Sequence, residues 1–386
     1  MPRHLIVLAA LMGLSPIAAW AGTNDVLIGL DGKIFFEASG PRIDPGGKDA
    51  LLVLDVGDPA HPKIRASLPL MNSVLGPPTN LQITPDGKLG LLANSVVPSQ
   101  VGDRTTTAPD NKLFVVDLEA NPPKLIDTIT VGRQPSGLSI SHKGDLALIA
   151  NRASKDISVL SIEGKTMRHI AEVPIGDEVA MVTITPDGRR AFAVKNLANK
   201  VAVLAIDGQK VTYDKAADIP AGFGVYNVDV TTDGHYAIAA NTGVGGDGNI
   251  ATVMQIDATA EHAHSIDYVT VGEGPEGFAI SPDGHWAVAP LLKGSPAPHD
   301  AWSYTRNGAV ALLQIGSNGK LSLVNDLPVG AIPEAVAFSP DSKFIYVGNY
   351  ADRNLQVFQI RDGKLADTGV VVDLPGQPAS MRGPAR

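Results

Sequence analysis

The sequence predicts an all-β fold, a seven-bladed β-propeller of four-stranded antiparallel blades, and three observations predict it. A strand–turn–strand unit returns along the chain, clearest where Gly274-Pro275-Glu276-Gly277-Phe278-Ala279-Ile280 runs through Ser281-Pro282-Asp283-Gly284 into His285-Trp286-Ala287-Val288-Ala289. Its turn recurs as Thr84-Pro85-Asp86-Gly87, Ser141-His142-Lys143-Gly144, Thr185-Pro186-Asp187-Gly188, Thr231-Thr232-Asp233-Gly234 and Ser339-Pro340-Asp341-Ser342, with Leu30-Asp31-Gly32 as an irregular first copy. Counted from the Asp position, the intervals are 55, 57, 44, 46, 50 and 58 residues, the period of a repeat architecture. Each unit then continues into two more short runs rich in Val, Ile and Ala, bounded by Gly, Pro, Asn and Asp, with no sustained helical period. Four antiparallel strands per unit, repeated in a ring, make a propeller.

In chain order, the first blade runs from about Val26 through 50–55 to Leu70 and is the least regular. The third and fourth strands of the later blades fall at 112–117 with 124–131, 157–162 with 166–175, 201–206 with 211–219, 251–256 with 265–271, 309–315 with 321–329, and 355–360 with 364–374. The segment Leu374-Pro375-Gly376-Gln377-Pro378 repeats the connector that elsewhere leads into the next blade, so the chain is expected to reach back to blade one. Which strands would be exchanged there is not assigned by the pattern.

Upstream of the repeats, Pro2-Arg3-His4 is basic, 5–14 is an apolar run too short to span a bilayer, and Ala19-Trp20-Ala21 is a small-x-small cleavage signal. Residues 1–21 therefore read as a signal peptide cut after Ala21, leaving 22–386 as a single propeller domain in the periplasm or secreted. No other apolar run is long enough to form an integral membrane segment. The chain has no cysteine, which removes disulfides, thiolate metal sites, c-type haem attachment and Fe–S ligation. A formal net charge of −9 without a basic cluster argues against nucleic acid as a partner.

The tight Pro-Asp-Gly turns fall on one face of the ring, where Asp and Gly serve the turn backbone. The other face collects the irregular loops, 39–49, 95–111, 290–308 and the Gly-rich 242–249, and loops on a rigid scaffold are where sites are placed. At the same position of each inner strand stand Asn24, Thr79, Ser136, Ala180, Tyr226, Glu276 and Glu334. Tyr226, Glu276 and Glu334 lie on consecutive blades and form a polar arc at the channel mouth, with Asn80 and Asn227 one residue further in. Glu276 and Glu334 could share Ca²⁺ or Mg²⁺, or form an acid and base pair through mutual repulsion, or be solvated residues of the repeat bonded to backbone amides.

Where strand two ends, Asn94, Asn151, Asn241 and Asn349 read as residues that close a backbone turn, and Lys195 departs from that pattern. With Arg152, Lys195 could hold an anionic substrate group or an oxyanion; the alternative is a pairing with Asp177 or Glu178. The blade-six loop carries His299, Asp300, Trp302, Tyr304 and Arg306, a set suited to covering a small polar ligand, with His299 and Arg306 as the contacting groups.

The stretches Val271-Gly272-Glu273-Gly274-Pro275-Glu276-Gly277 through Ser281-Pro282-Asp283-Gly284, and Phe338-Ser339-Pro340-Asp341 through Tyr346-Val347-Gly348-Asn349, resemble the YVTN family of β-propellers. That resemblance covers essentially 22–386, and it implies kinship with lactonases, extracytoplasmic surface proteins and amine dehydrogenase heavy chains. The lactonase-like branch carries a Gly-Pro-Arg-His motif where this chain reads Pro135-Ser136-Gly137, Pro275-Glu276-Gly277 and Pro333-Glu334-Ala335. Three functions follow as expectations. The first is a non-catalytic exported module binding a small polar ligand or a periplasmic protein. The second is a lactonase-like hydrolase or isomerase with Glu276 or Glu334 as base or metal ligand, Tyr226 as proton donor, and Lys195 or Arg152 at the oxyanion. The third is the large subunit of a periplasmic oxidoreductase.

Overall fold

Serine and threonine hydroxyls organise the repeated turn. In five blades the hydroxyl of Thr84, Thr185, Thr231, Ser281 or Ser339 donates to the Asp two residues on, at 2.5–2.7 Å. The same oxygen accepts the amide that opens the next strand, as Leu89 N–H does at 3.0 Å and Phe344 N–H at 2.9 Å. The Asp carboxylate then accepts the N–H two residues beyond it, at 3.1 Å for Lys88 and 3.0 Å for Arg189. The fourth residue lies in the left-handed region, at φ +74° for Gly87 and φ +62° for Ser342, which is why Gly fills it in every other copy. Three polar side-chain bonds per turn make the motif legible as a repeat and leave its Asp no chemistry to spare.

A computed structural model describes residues 24–244, 252–317 and 319–386. Seven four-stranded antiparallel sheets form the blades of a β-propeller. Blade two is Leu81–Ile83, Leu89–Val101, Arg104–Asp117 and Lys124–Thr130. Blade three is Pro135–Ile140, Leu146–Asn151, Asp156–Glu163 and Thr166–Pro174. Blade four is Met181–Ile184, Arg190–Lys195, Lys200–Asp207 and Lys210–Tyr213. Blade five is Val225–Val230, Tyr236–Asn241, Thr252–Asp257 and His264–Thr270. Blade six is Ala279–Ile280, Trp286–Leu291, Ala309–Ile315 and Leu321–Pro328. Blade seven is Pro333–Phe338, Phe344–Asn349, Asn354–Arg361 and Lys364–Asp373.

Blade one closes the ring from both ends of the chain. Its inner strand is Gln377–Arg382, paired with Asp25–Asp31, and Ala50–Asp55 and Lys63–Leu68 follow outward. This corrects two readings of the sequence. Asp25–Asp31 is a second strand, so Asn24 is not a channel-mouth residue, and the position it was given belongs to Ala379. Leu30-Asp31-Gly32 is likewise not a copy of the Pro-Asp-Gly turn. Asp31 is buried, accepts the N–H groups of Lys33 at 2.8 Å and Val74 at 2.9 Å, and faces the buried ammonium of Lys33, which also meets Asp49 at 2.7 Å. The ion-pair cluster pins the first long loop to the ring.

Three further expectations change. The segment 95–111 is not a loop: strands two and three of blade two run on as a hairpin to Val101 and Arg104. Within 32–49 a second small hairpin pairs Ile34–Glu37 with Gly40–Ile43. The fourth strand of blade four breaks after Tyr213, passes a 3-10 turn at Lys215–Ala217, and rejoins Lys200–Asp207 through Ile219–Pro220. Most of the blade-five loop 242–249 and all of the segment 1–21 lie outside the described residues. Among the described residues no helix is long and apolar enough to cross a membrane.

The core lies between neighbouring blades, not inside any one. One cluster joins Leu148, Val159 and Val173 of blade three to Val182, Ala193 and Leu204 of blade four; another joins Ile28 and Leu52 of blade one to Val357 of blade seven and to Met381. Met381 is 1% exposed on the closing strand. Met381→Ala is expected to lower the unfolding free energy by about 2–4 kcal/mol in urea titrations. A chain lacking 377–386 should lose its single cooperative transition, and a truncated protein that unfolds like the parent would refute closure by this strand.

Candidate functional site

In blades three, five, six and seven the inner strand begins with an irregularity in its pairing. The register shifts between Pro135 and Leu138, between Val225 and Asn227, and between Pro333 and Ala335, and in blade six an isolated bridge at Pro275 precedes regular pairing from Ala279. Among the residues skipped are Ser136, Tyr226, Glu334 and, in blade six, Glu276. A bulge re-aims a side chain away from the strand's alternation, so these residues share a structural reason for meeting at the channel mouth. Crowding there demands Gly at 277, since a Cβ on that residue would lie 2.3 Å from the Glu334 carbonyl oxygen. Asn227 ties the rim from the other side by donating to the Glu276 carbonyl at 3.2 Å.

Four side chains form a line across this rim. Arg152 places Nη2 3.4 Å from Glu178 and Nη1 3.5 Å from the Tyr226 hydroxyl, with its guanidinium 5.7 Å from the Tyr226 ring centroid. Tyr226 in turn interacts with the Glu276 carboxyl. Glu334 stands beyond, buried, with Oε2 lacking any hydrogen-bond partner. Burial pushes Glu276 up to about 7, against the pull of Arg152 and Tyr226. Glu334 is driven well above the carboxylate range by burial and then by the charge of Glu276. Tyr226 is raised by burial and by Glu276, so it stays a hydroxyl donor, and although burial works against the Arg152 charge, Tyr226, Glu178 and Glu276 hold it. Two carboxyl groups that interact in this way ionise as a pair that keeps at least one proton at neutral pH.

A cleft of about 370 Å³ opens beside this line, with Tyr226, Glu276, Asn196 and Thr242 among its polar groups and Leu197 and Phe223 as its apolar wall. The other end of the channel holds a separate cavity of about 90 Å³ next to Arg382 and Asp229, which approach to 3.6 Å. Among the described residues no three His, Cys, Asp or Glu side chains cluster as ligands.

The remaining candidates separate from this site. Lys195 is fully buried, at 2.7 Å from Asp177, 2.8 Å from Asp218 and 3.2 Å from the Tyr213 hydroxyl, and its partners hold it charged against the cost of burial. It is a structural ion pair inside blade four, and its partner Asp177 is one that the sequence allowed. Asn80 donates to Asn72 at 2.7 Å and to the Ala93 carbonyl at 2.7 Å. Asn151 donates to Asp156 and Ser158, Asn349 to Asn354 and Gln356, as turn-closing residues do. In the blade-six loop, Arg306 pairs with Asp352 at 2.5 Å, and the His299 ring lies 4.3 Å from that of Tyr304 while its amide bonds Ala38. Sequence reasoning placed Glu178 beside Lys195 rather than Arg152, and passed over Leu197 and Phe223; the exposed apolar type of both was the available signal.

The fold is a seven-bladed β-propeller, and the chain is similar to lactonases of that fold: the family described as lactonase, 7-bladed beta-propeller, matches residues 297–383, from the blade-six loop to the closing strand. A 6-phosphogluconolactonase of Pectobacterium atrosepticum is 27% identical over 241 residues, 60% of this chain and 66% of that protein, so the match spans just under two thirds of that relative. Among solved structures, the periplasmic gluconolactonase of Pseudomonas aeruginosa aligns with a TM-score of 0.65 and 19% identity over 92% of this chain and 98% of its own. A functionally unknown protein from Desulfotomaculum acetoxidans aligns at 0.67 and 16% identity, covering 94% of this chain and 100% of that one. Kuenenia stuttgartiensis hydrazine synthase aligns at 0.58 and 18% identity, over 75% of this chain and 78% of that one. Such low identities establish the fold, and the spread of chemistries leaves function to the site.

Two outcomes test this assignment of roles. Lys195→Ala leaves buried Asp218 with only the more distant, exposed Lys200 at 3.8 Å and should cost about 3–5 kcal/mol in urea unfolding; a loss below about 1 kcal/mol would contradict the structural reading. Glu276 binds its proton more tightly folded, at about 7 against a usual 4.5, so the folded state loses stability as pH rises from 4.5 to 7 and regains none above. Glu276→Gln should therefore stabilise the protein more at pH 8 than at pH 4 in thermal melts, and equal shifts at both would show that the carboxyl is not desolvated.

Proposed function

We propose that this chain hydrolyses a lactone in the cleft beside Tyr226 and Glu276, as an exported, periplasmic YVTN-type propeller. The observation that carries the reading is the Arg152–Tyr226–Glu276–Glu334 line at the channel mouth. Its carboxyl pair combines one member near pKa 7 with a second that has an unpartnered oxygen. Glu334 Oε2 is that oxygen, and it belongs to a residue only 4% exposed. The 6-phosphogluconolactonase relative and the gluconolactonase neighbour support the same class of reaction. The basic, apolar and small-residue order of 1–21 supports export.

In this mechanism ionised Glu276 takes a proton from water as the water oxygen bonds to the lactone carbonyl carbon. Arg152 and the Tyr226 hydroxyl donate hydrogen bonds to the oxyanion that develops. The ring C–O bond then breaks, and its oxygen takes the proton back from Glu276, giving an open hydroxy acid. Glu334 keeps its proton throughout and, by staying neutral, lets Glu276 ionise near pH 7.

A second reading is a non-catalytic module binding a small polar ligand or a periplasmic protein. It draws support from Trp302, which is 85% exposed on the blade-six loop. Proton release in a pH-stat, on a panel of lactones, separates the two. Hydrolysis is expected with kcat/KM rising through an apparent pKa near 7, and Glu276→Gln should reduce it by about 10²–10⁴-fold with the fold retained. A folded protein inert across the panel, or a Glu276→Gln variant that still turns over, would leave the binding module as the answer.

A further inference from the structure

The apolar wall of the cleft is a departure from the repeat. Backbone hydrogen bonds fix the correspondence between blades: the Phe223 carbonyl accepts Gly243 N–H at 3.0 Å, as the Arg133 carbonyl accepts Ala153, the Glu273 carbonyl accepts Lys293, and the Ala331 carbonyl accepts Ala351. The position of Phe223 is thus held by Arg, Glu and Ala in the neighbouring blades. Leu197, two residues past the end of strand two, corresponds in the same way to Ala153, Lys293 and Ala351. Nothing in the propeller therefore requires a large apolar side chain at either place.

Both are nevertheless displayed to solvent, Leu197 at 71% and Phe223 at 53% exposed. Their loops are held in place while doing so. Asn199 accepts the Gly224 N–H on its side chain at 2.8 Å and the Ala221 N–H on its carbonyl at 2.9 Å, and Gly224 accepts from Thr242 through both amide and hydroxyl. A fixed apolar pair beside a polar floor costs solubility unless something covers it. The described residues lining the cleft include no Lys or Arg, so its wall offers no cation to a phosphate ester.

Resting on the lactonase reading above, we propose that the substrate is a lactone bearing an apolar alkyl or acyl chain, with the ring at Tyr226 and Glu276 and the chain along Leu197 and Phe223. The occupant follows from continuity, because the apolar wall and the reacting groups line one cleft. Leu197 and Phe223 act as specificity residues and take no part in the chemistry.

The test uses the full chain with δ-valerolactone, its 5-alkyl homologues of increasing length, and glucono-δ-lactone. Over the first few carbons kcat/KM should rise about fourfold per methylene, the gain from moving each one out of water. A Leu197→Ser, Phe223→Ser double variant should flatten that slope, whereas Leu197→Met with Phe223→Leu should keep it. In parallel, calorimetry of Glu276→Gln with the matching alkyl δ-lactams reads binding without turnover, and affinity should climb with chain length in the same proportion. Hydrolysis with no dependence on chain length, or a preference for glucono-δ-lactone, would overturn the apolar subsite and leave the lactonase reading standing. Lactam affinity that climbs with chain length, in a protein that hydrolyses none of the lactones, would retain the subsite and overturn the reaction.

Discussion

Seven inner strands have to begin on one small circle, and the way they begin decides what stands there. A regular strand would alternate its side chains between the two neighbouring blades, leaving none aimed along the channel. In blades three, five, six and seven a pairing irregularity at the start of the inner strand breaks that alternation, at the position of Ser136, Tyr226, Glu276 and Glu334. Close approach at the rim then leaves little room for water, so any carboxyl placed there is desolvated by the ring itself. The raised affinity of Glu276 and Glu334 for protons is a consequence of the same geometry that assembles the propeller.

The contrast with Lys195 shows how to tell a reactive charge from a structural one. Lys195 is closed off from solvent, yet two carboxylates and a tyrosine hydroxyl lie within 3.2 Å of its ammonium. Burial with full compensation fixes a charge state and removes it from chemistry. At the channel mouth compensation is incomplete: the Arg152 contacts are at 3.4 and 3.5 Å, and one Glu334 oxygen has no partner. Groups left in that condition cost folding free energy and gain the ability to exchange a proton near neutrality.

Much of the fold was legible because the repeat carries its own side-chain chemistry. A Ser or Thr hydroxyl, an Asp and a Gly are each needed by the turn backbone, and that need repeats wherever the turn does. The arc of Tyr226, Glu276 and Glu334 was legible for the same reason, since a fixed distance from the turn locates it. Ring closure was not, because the pairing of Leu27 with Arg382 joins residues from opposite ends of the sequence and leaves no local pattern. Taking Leu30-Asp31-Gly32 for a turn followed from that gap: an Asp-Gly pair identifies a turn only when the strands around it are known. Residue type allowed Asp177 as a partner of Lys195 but did not announce Asp218, nor that Glu178 would pair with Arg152, since both depend on how the loops fold.

A repeat protein supplies an internal comparison that a single-copy fold lacks. Positions bound to the architecture recur, as the turn hydroxyls and strand-end Asn residues do, and their chemistry is spent on backbone bonds. Positions that depart from the repeat without a structural reason are where other demands are expressed. Arg152, Tyr226, Leu197 and Phe223 all depart, and they converge with Glu276 on the junction of blades three to six. Lys195 also departs, but its departure is answered by Asp177 and Asp218 within its own blade. The distinction does not lie in rarity along the repeat. It lies in whether the surrounding fold satisfies the unusual side chain, and at the channel mouth and on the cleft wall it does not.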